Sequence, residues 1–230
     1  MLAPRGSDQF DVLHRMVASR AAADSVLLDV GAGCGDHDHG GRLRGIVGHV
    51  VGVDPSPGIL ANRCLDERFQ STLEDFAPSH RHRFDLAVAS YVVEHVAAPT
   101  RFLAAMRECL KPGGSAFILT PNLFHYFGAS AFVARRLHID EWALRRIRDH
   151  ATLDHHHFPL QYRLNSRRRL VRLGRRAGFR AFEFLMLDEP GIYEPYLPRP
   201  LGFVPVAWSG MVHRLGAAGL AGTLLARLEA

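Results

Sequence analysis

Cysteine, lysine and long apolar runs are scarce in this sequence. The scarcity of cysteine and that of long apolar runs each exclude a class of protein. The 230 residues include three cysteines. This odd number lacks metal-ligand spacing, so we expect no disulfide framework and a reducing, cytoplasmic compartment. No run of about 18 apolar residues occurs, so we expect no membrane span. The first residues lack an apolar signal core, so we expect no secretion signal.

Positive charge exceeds negative charge only slightly. The formal net charge is +5, from 28 Lys and Arg residues against 23 Asp and Glu residues, and Lys111 is the single lysine. A surplus of this size does not indicate nucleic-acid binding, and we expect no nucleic-acid partner. Six of the arginines lie within residues 167–176. A solvated helix face is the simpler interpretation of them, and a site for an acidic carrier or a phosphate group is the alternative.

Short apolar runs alternate with helical patterns along the chain. The predicted strands are residues 25–30, 49–54, 68–72, 84–90, 115–120 and 180–187, and the predicted helices are residues 8–20, 57–67, 101–110 and 166–177. This alternation predicts an α/β fold in which helices cover both faces of a doubly wound, mostly parallel sheet. Because ligands bind beyond the carboxyl ends of the strands in such sheets, the loops after the first four strands should form one site.

The second half of the chain departs from this alternation. Residues 123–165 are predicted to form a helical lid after the fifth strand, and residues 201–230 to form a helical C-terminal tail with no evident seventh strand. The core of a single domain, residues 1–230, then consists of residues 21–122 and 166–190. We expect the tail to pack against the sheet, and contact with a membrane or a partner is the alternative.

A glycine-rich loop directly follows the first predicted strand. The run DVGAGCG places Asp29 before Gly31, Gly33 and Gly35, and glycine permits positive φ and close backbone approach to a ligand. Asp54 ends the second strand, where a carboxylate can accept hydrogen bonds from ribose hydroxyls. The third glycine comes one residue earlier than in the dinucleotide fingerprint G-x-G-x-x-G. The pattern therefore favours an adenosine ligand without a pyrophosphate over a bare glycine turn.

Four segments resemble, in order, the motifs of class I S-adenosylmethionine (SAM)-dependent methyltransferases. They are LLDVGAGCG (27–35), VVGVDPS (50–56), FDLAVASYVVEHV (84–96) and LKPGGSAFILTPN (110–122). The resemblance is to the small-molecule branch, which includes ubiquinone-type O-methyltransferases and bacterial tailoring methyltransferases. It implies a Rossmann-like fold, SAM as co-substrate and methyl transfer to a small-molecule acceptor, with oxygen as the favoured acceptor atom.

The resemblance also implies roles for individual residues. Asp29 and the three loop glycines would hold the methionine part of SAM, and Asp54 with Pro55 would hold the ribose. Thr72 and Leu73 occupy the positions of adenine contacts. The aspartate that the family usually has there is absent, so Thr72 or Glu74 would substitute for it.

The region after the fourth strand would lie beside the sulfonium of SAM. Ser90 is the first residue of this region, and Tyr91 follows it. Ubiquinone-type enzymes have an acid at the position of Tyr91, whereas Glu94 and His95 match their pattern. Because one acidic position is lost, we predict no metal ion in this site.

A catalytic base is needed only if the methyl acceptor arrives protonated, as a hydroxyl would. The candidates are Tyr91, His95 and His157. A structural role is the alternative for His95. His157 ends the tract from Asp154, which either forms a solvated loop or sends His157 from the lid into the acceptor pocket.

Two other functions remain open from the residues alone. An NAD-type oxidoreductase would share the architecture, but the early third glycine and the segment LKPGGSAFILTPN count against it. A non-catalytic binding module on the same fold would explain the missing adenine-contacting aspartate. The intact glycines and Asp54 count against that module, because a dead site has no need of them.

Overall fold

The computed structural model describes residues 1–35, 39–130, 159–192, 194, 197 and 199–230, which build one seven-stranded sheet. The strands are β1 Val26–Val30, β2 His49–Asp54, β3 Glu67–Gln70, β4 Phe84–Ser90, β5 Leu110–Pro121, β6 Ala181–Leu187 and β7 Thr223–Glu229. The helices are α1 Gln9–Ala18, α2 His39–Arg44, α3 Leu73–Phe76, α4 Pro99–Cys109, α5 Arg167–Arg176 and α6 Val204–Arg214.

The strand order is β3-β2-β1-β4-β5-β7-β6, and all neighbours from β3 to β5 are parallel. The chain winds from β1 outward to β3 and then returns to add β4 on the other side of β1. This reversal creates a crevice at the carboxyl ends of β1 and β4, which is where ligands bind in open α/β sheets. The predicted doubly wound, mostly parallel α/β fold is confirmed.

The strands are apolar on both faces because helices cover both faces of the sheet. Leu28, Val51 and Ile118 pack into one buried cluster with the residues of α3, α4 and α5. Their chain neighbours on the opposite face, among them Leu27 and Phe117, pack into a second cluster with α1 and α2. The short, continuous apolar runs of the strands are therefore explained by burial on two sides.

The helix predicted at residues 57–67 is shorter than expected. A 3₁₀ helix covers only Pro57–Ala61, and Asn62 adopts an extended conformation with ψ of 109°. The Asn62 side chain accepts a hydrogen bond from the backbone N–H of Cys64 at 2.9 Å. This bond competes with helix continuation, as side chain-to-backbone bonds of asparagine commonly do.

The prediction of a wholly helical tail at residues 201–230 is wrong. The helix α6 ends at Arg214, and Thr223–Glu229 form β7, which lies antiparallel between β5 and β6. Leucine, alanine and glutamate favour a helix in isolation, which hid the strand from the sequence pattern. Pairing on both edges and burial of Leu224, Leu225 and Leu228 override that preference.

The predicted lid is only partly described. Residues 126–130 are helical, whereas residues 131–158, with His157, lie outside the described residues. The two ends of this insertion meet, because the N–H of Leu123 donates to the carbonyl of Asn165 at 2.9 Å. No helix within the described ranges is long and apolar enough to cross a membrane.

Candidate active site

The glycine loop after β1 has the conformation that the sequence predicted. Gly31, Gly33 and Gly35 all have positive φ, at 75°, 55° and 82°, a region that side chains with a Cβ disfavour. A Cβ on Gly31 would lie 2.3 Å from Cγ2 of Val92, whereas a Cβ on Gly33 would meet no atom of the described residues within 4 Å. Gly31 is therefore needed for packing, and Gly33 borders open space at the carboxyl edge of the sheet.

Asp54, at the end of β2, is held by two backbone amides. The N–H of Gly33 donates to Oδ2 at 3.0 Å and the N–H of Ser56 donates to Oδ1 at 2.7 Å. The residue is 8% exposed. Each carboxylate oxygen keeps a further lone pair, so Asp54 is fixed in place while it can still accept hydrogen bonds from a ligand diol.

Asp29, which precedes the loop, is a second and more deeply buried carboxyl group. It is 3% exposed, and burial together with the nearby charge of Asp54 raises its pKa to about 7. A buried carboxyl group with a raised pKa regains its charge when a cation approaches. This arrangement suits a ligand that brings a positive charge to the loop.

Asn62 is a site residue that the sequence interpretation missed. Its side chain is buried, and Nδ2 donates to the carbonyls of Ala32 at 3.0 Å and Gly33 at 3.2 Å. A Cβ on Gly35 would lie 2.6 Å from Oδ1 of Asn62. The hydrogen bonds of Asn62 therefore hold the glycine loop in position, although Asn62 lies outside all four motifs. In the sequence, Asn62 lay inside the helix predicted at residues 57–67, so nothing marked it as a loop contact.

The predicted adenine contacts have structural roles. The Thr72 hydroxyl caps α3, accepting from the N–H of Asp75 at 3.2 Å and donating to its carboxylate at 2.7 Å. Leu73 is buried in the core cluster with Phe76. The segment does lie beside Asp54, because the N–H of Ser71 donates to the carbonyl of Asp54 at 3.1 Å.

The residues after β4 form the other wall of the crevice. Tyr91 has φ of 56°, an uncommon conformation for a bulky residue that is typical of functional turns. Its hydroxyl donates to Oε1 of Gln9, and burial raises the pKa of Tyr91 above its usual value. Ser90 Oγ is buried and has no hydrogen-bond partner in the part of the chain that the structure describes.

Glu94 connects this wall to the end of β5 and to the last residues of the insertion, Tyr162 and Asn165. Its carboxylate accepts from the Thr120 hydroxyl at 3.1 Å, and that hydroxyl accepts from Nδ2 of Asn165 at 2.7 Å. Its carbonyl accepts from the N–H of Tyr162 at 3.0 Å. Burial raises the pKa of Glu94 to about 7. Glu94 therefore bonds to both β5 and the segment around Tyr162, and its burial favours the uncharged form.

The structure brings most of the predicted site residues to one edge of the sheet. These are Asp29, Gly31, Gly33, Gly35, Asp54, Pro55, Ser90, Tyr91 and His95. The half-buried His95 follows the turn after β4, and its backbone N–H donates to the carbonyl of Val92 at 3.0 Å. His157 falls outside the described residues.

A family model described as a methyltransferase domain matches residues 5–183. The ubiquinone biosynthesis O-methyltransferase of Marinobacter nauticus is 35% identical over 106 residues, which are 41% of this chain and 43% of that protein. The human mitochondrial protein of the same name is 38% identical over 111 residues, which are 42% of this chain and 28% of that protein. The chain thus spans less than half the length of these curated relatives.

Solved structures share the fold across nearly the whole chain. A SAM-dependent methyltransferase from Archaeoglobus fulgidus superposes with a TM-score of 0.58 at 14% identity, covering 96% of this chain and 95% of that one. The [4+2]-cyclase SpnF superposes with a TM-score of 0.57 at 19% identity, covering 95% and 80%. At these identities the likeness establishes the fold and leaves the reaction to the site residues.

Proposed function

This chain belongs to the methyltransferase domain family, and we propose that it transfers the methyl group of SAM to a hydroxyl oxygen of a small-molecule acceptor. The observation that carries this proposal is the pair of carboxyl groups at the glycine loop. Asp54 is oriented by two backbone amides, and Asp29 is buried beside it with a raised pKa.

The residues present fit SAM on three structural grounds. The open space above Gly33 gives the backbone room to meet the methionine part. The free lone pairs of Asp54 match the two ribose hydroxyls. The raised pKa of Asp29 falls when a positive charge approaches, and SAM brings both an ammonium and a sulfonium group.

The chemical step needs little from the protein beyond orientation. SAM supplies a methyl group on a sulfonium, which is a good leaving group. The acceptor oxygen forms the new C–O bond while the C–S bond breaks and its electron pair moves to sulfur. Holding the oxygen in line with that bond can lower the barrier by about 7–11 kcal/mol in favourable cases. We assign part of this orientation to Ser90, and the observation that supports the assignment is its buried Oγ, which has no partner among the described residues.

A base would take the proton of a hydroxyl acceptor. His95 and His157 stay our candidates for it. The Tyr91 hydroxyl is unsuited to the role, because it already donates to Gln9 and its pKa is raised by burial. Tyr91 instead shapes the wall of the crevice.

We place the activity in the cytoplasm, in keeping with the sparse cysteines.

Two rival functions have less support. An NAD-type oxidoreductase conflicts with the early third glycine and with the family match. A non-catalytic binding module rests only on the missing adenine-contacting aspartate. The intact loop and the two carboxyl groups favour the methyltransferase, because a site that had lost SAM would not need them.

Calorimetric titration with S-adenosylhomocysteine, with NAD as the control ligand, tests this proposal. We expect micromolar binding of S-adenosylhomocysteine and none of NAD. Binding of NAD alone, or of neither ligand, would overturn it. A screen of phenolic and catecholic acceptors with labelled SAM then tests the acceptor atom, since label on nitrogen or carbon would contradict O-methylation.

A further inference from the structure

The helix α5 has an unusual charge distribution. Six of its ten residues are arginines and its first turn has no acid. Arg169 donates to the carbonyl of Tyr162 at 2.8 Å, and Arg167 lies over the ring of Phe184 at 5.1 Å. Within the described ranges no arginine of α5 forms an ion pair, in contrast to Arg44, Arg83 and Arg227, which pair with Asp66, Glu67 and Glu183. This positive charge is therefore uncompensated inside the described chain.

Five of these six arginines, all except Arg176, line one side of an open groove of about 1060 Å³. Two residues of β6 form its floor, the half-buried Phe184 and the buried Met186, and Phe124 and Gly219 also line it. Phe124 is 56% exposed, which is high for a large aromatic side chain. The groove thus combines an apolar floor with a cationic wall, and no acidic residue is among the described residues that line it.

The shape and charge of the groove specify its occupant. An α-helix rises 1.5 Å per residue, so the arginines from 168 to 175 extend over about 10 Å, or two helical turns. A convex helix with an apolar stripe flanked by acids would bury the stripe on the floor and pair its carboxylates with the arginines. A flat membrane would not reach the floor of a concave groove.

We propose that this groove is the docking site for an acidic amphipathic helix of a partner protein. The groove adjoins both ends of the insertion, since Asn122 and Ser166 also line it. A docked helix would therefore sit beside the acceptor side of the crevice without covering the glycine loop. This proposal goes beyond methyl transfer, and it stands or falls separately from SAM binding.

A matched pair of double variants tests the proposal on the intact protein. Arg168→Glu/Arg172→Glu reverses two groove arginines, whereas Arg176→Glu/Arg180→Glu makes the same charge change at exposed residues that do not line the groove. The probe is a fluorescein-labelled synthetic helix of 18 residues, with leucines at i, i+3, i+4 and i+7 and glutamates on either side, measured by anisotropy. Thermal unfolding and S-adenosylhomocysteine titration accompany each variant.

We expect the wild-type protein to bind the probe with micromolar affinity. The groove variant should bind at least about 10-fold more weakly and the control variant within about 3-fold of wild type. A peptide with the same glutamates but with serine in place of leucine should bind weakly. Equal loss in both variants would mean general electrostatic attraction and would overturn the proposal. So would no wild-type binding of the probe, or preferential binding of phosphatidylglycerol vesicles or single-stranded RNA, while S-adenosylhomocysteine still binds.

Discussion

Beyond β1 and β2, the carboxylate oxygens of Asp54 each accept a backbone N–H group and Asn62 bonds two loop carbonyls. Beyond β4 and β5, Ser90 Oγ and Asn165 Oδ1 are buried without partners among the described residues. Following the function proposed above, we call these regions the cofactor half and the acceptor half of the crevice. The cofactor half is complete before its ligand arrives. The acceptor half leaves polar atoms unsatisfied, which costs free energy unless a ligand or water meets them.

This difference indicates that the cofactor half is preformed for one ligand, whereas the acceptor half can adapt to its ligand. Glycines without a Cβ and the buried side chains of Asp54 and Asn62 fix the backbone of the cofactor half, so a change at any of them alters the ligand site directly. The acceptor half depends on side chains from β4, β5 and the base of the insertion. We therefore expect substitutions in the cofactor half to change SAM affinity sharply, whereas those in the acceptor half should leave it intact.

The largest expected effect follows from Gly33→Val. A branched side chain at φ of 55° would both strain the backbone and fill the open space above the loop. We expect the affinity for S-adenosylhomocysteine to fall by about 100-fold or more in calorimetry. Gly113→Val is the matched control, because Gly113 also has positive φ and no neighbour within 4 Å but lies at the start of β5. Equal loss in both variants would show that strain, not blocked space, is responsible.

Asp54→Ala should have the next largest effect. The substitution removes the acceptors for both the ligand diol and the N–H of Gly33, so we expect affinity to fall by about 10- to 100-fold. Asp66→Ala is the control, since Asp66 also accepts a backbone N–H, from Val50 at 2.9 Å, far from the loop. Unchanged affinity in Asp54→Ala would contradict the role of Asp54.

Asn62→Asp tests whether the hydrogen bonds of Asn62 to the loop position the ligand. The aspartate would keep the acceptor for Cys64 but would set a carboxylate oxygen against the carbonyls of Ala32 and Gly33. We expect a roughly 10-fold loss of S-adenosylhomocysteine affinity. Asn122→Asp is the control, because Asn122 bonds two carbonyls in the same way near β7. Loss of thermal stability without loss of affinity in both variants would make Asn62 merely structural.

The smallest effect on SAM affinity belongs to Glu94→Gln in the acceptor half. Burial raises the pKa of Glu94 from 4.5 to about 7, so its neutral form is the one that the fold favours. Its contribution to stability is therefore full below about pH 4.5 and is lost as the pH rises through 7. Glutamine stays neutral, and we expect the variant to melt a few °C above wild type at pH 8.

Thermal unfolding at pH 5 and pH 8 measures this difference. At pH 5 the variant and the wild type should melt close together, since both carry a neutral side chain at residue 94. Affinity for S-adenosylhomocysteine should not change at either pH. A variant that melts below wild type at pH 8 would show that the charged form of Glu94 is stabilised after all. A large loss of affinity would remove the distinction between the two halves.

The cofactor half could be predicted from the sequence because its signals are local. The glycines of residues 31–35 and the acid at Asp54 each follow a strand directly, and strand direction alone brings them together. Asn62 could not be found in this way, because its role depends on a contact with a loop 29 residues earlier. The acceptor half escaped for the same reason, since Thr120 and Asn165 meet only in the fold.

The strand β7 escaped for a different reason. Its leucines and alanine favour a helix when considered alone, and its burial on both faces removes the alternation that marks a half-exposed strand. Only its position between β5 and β6 makes it a strand. The sequence therefore predicted the parallel part of the sheet well and its antiparallel part poorly.

The position of β7 also has a consequence for biosynthesis. The ribosome makes β5 and β6 before the strand that joins them, so both leave the exit tunnel with unpaired edges on the side that β7 will fill. Exposed strand edges are templates for aggregation, and domains fold as synthesis proceeds. Until Thr223–Glu229 have been made, neither of these two edges can form its native pairing.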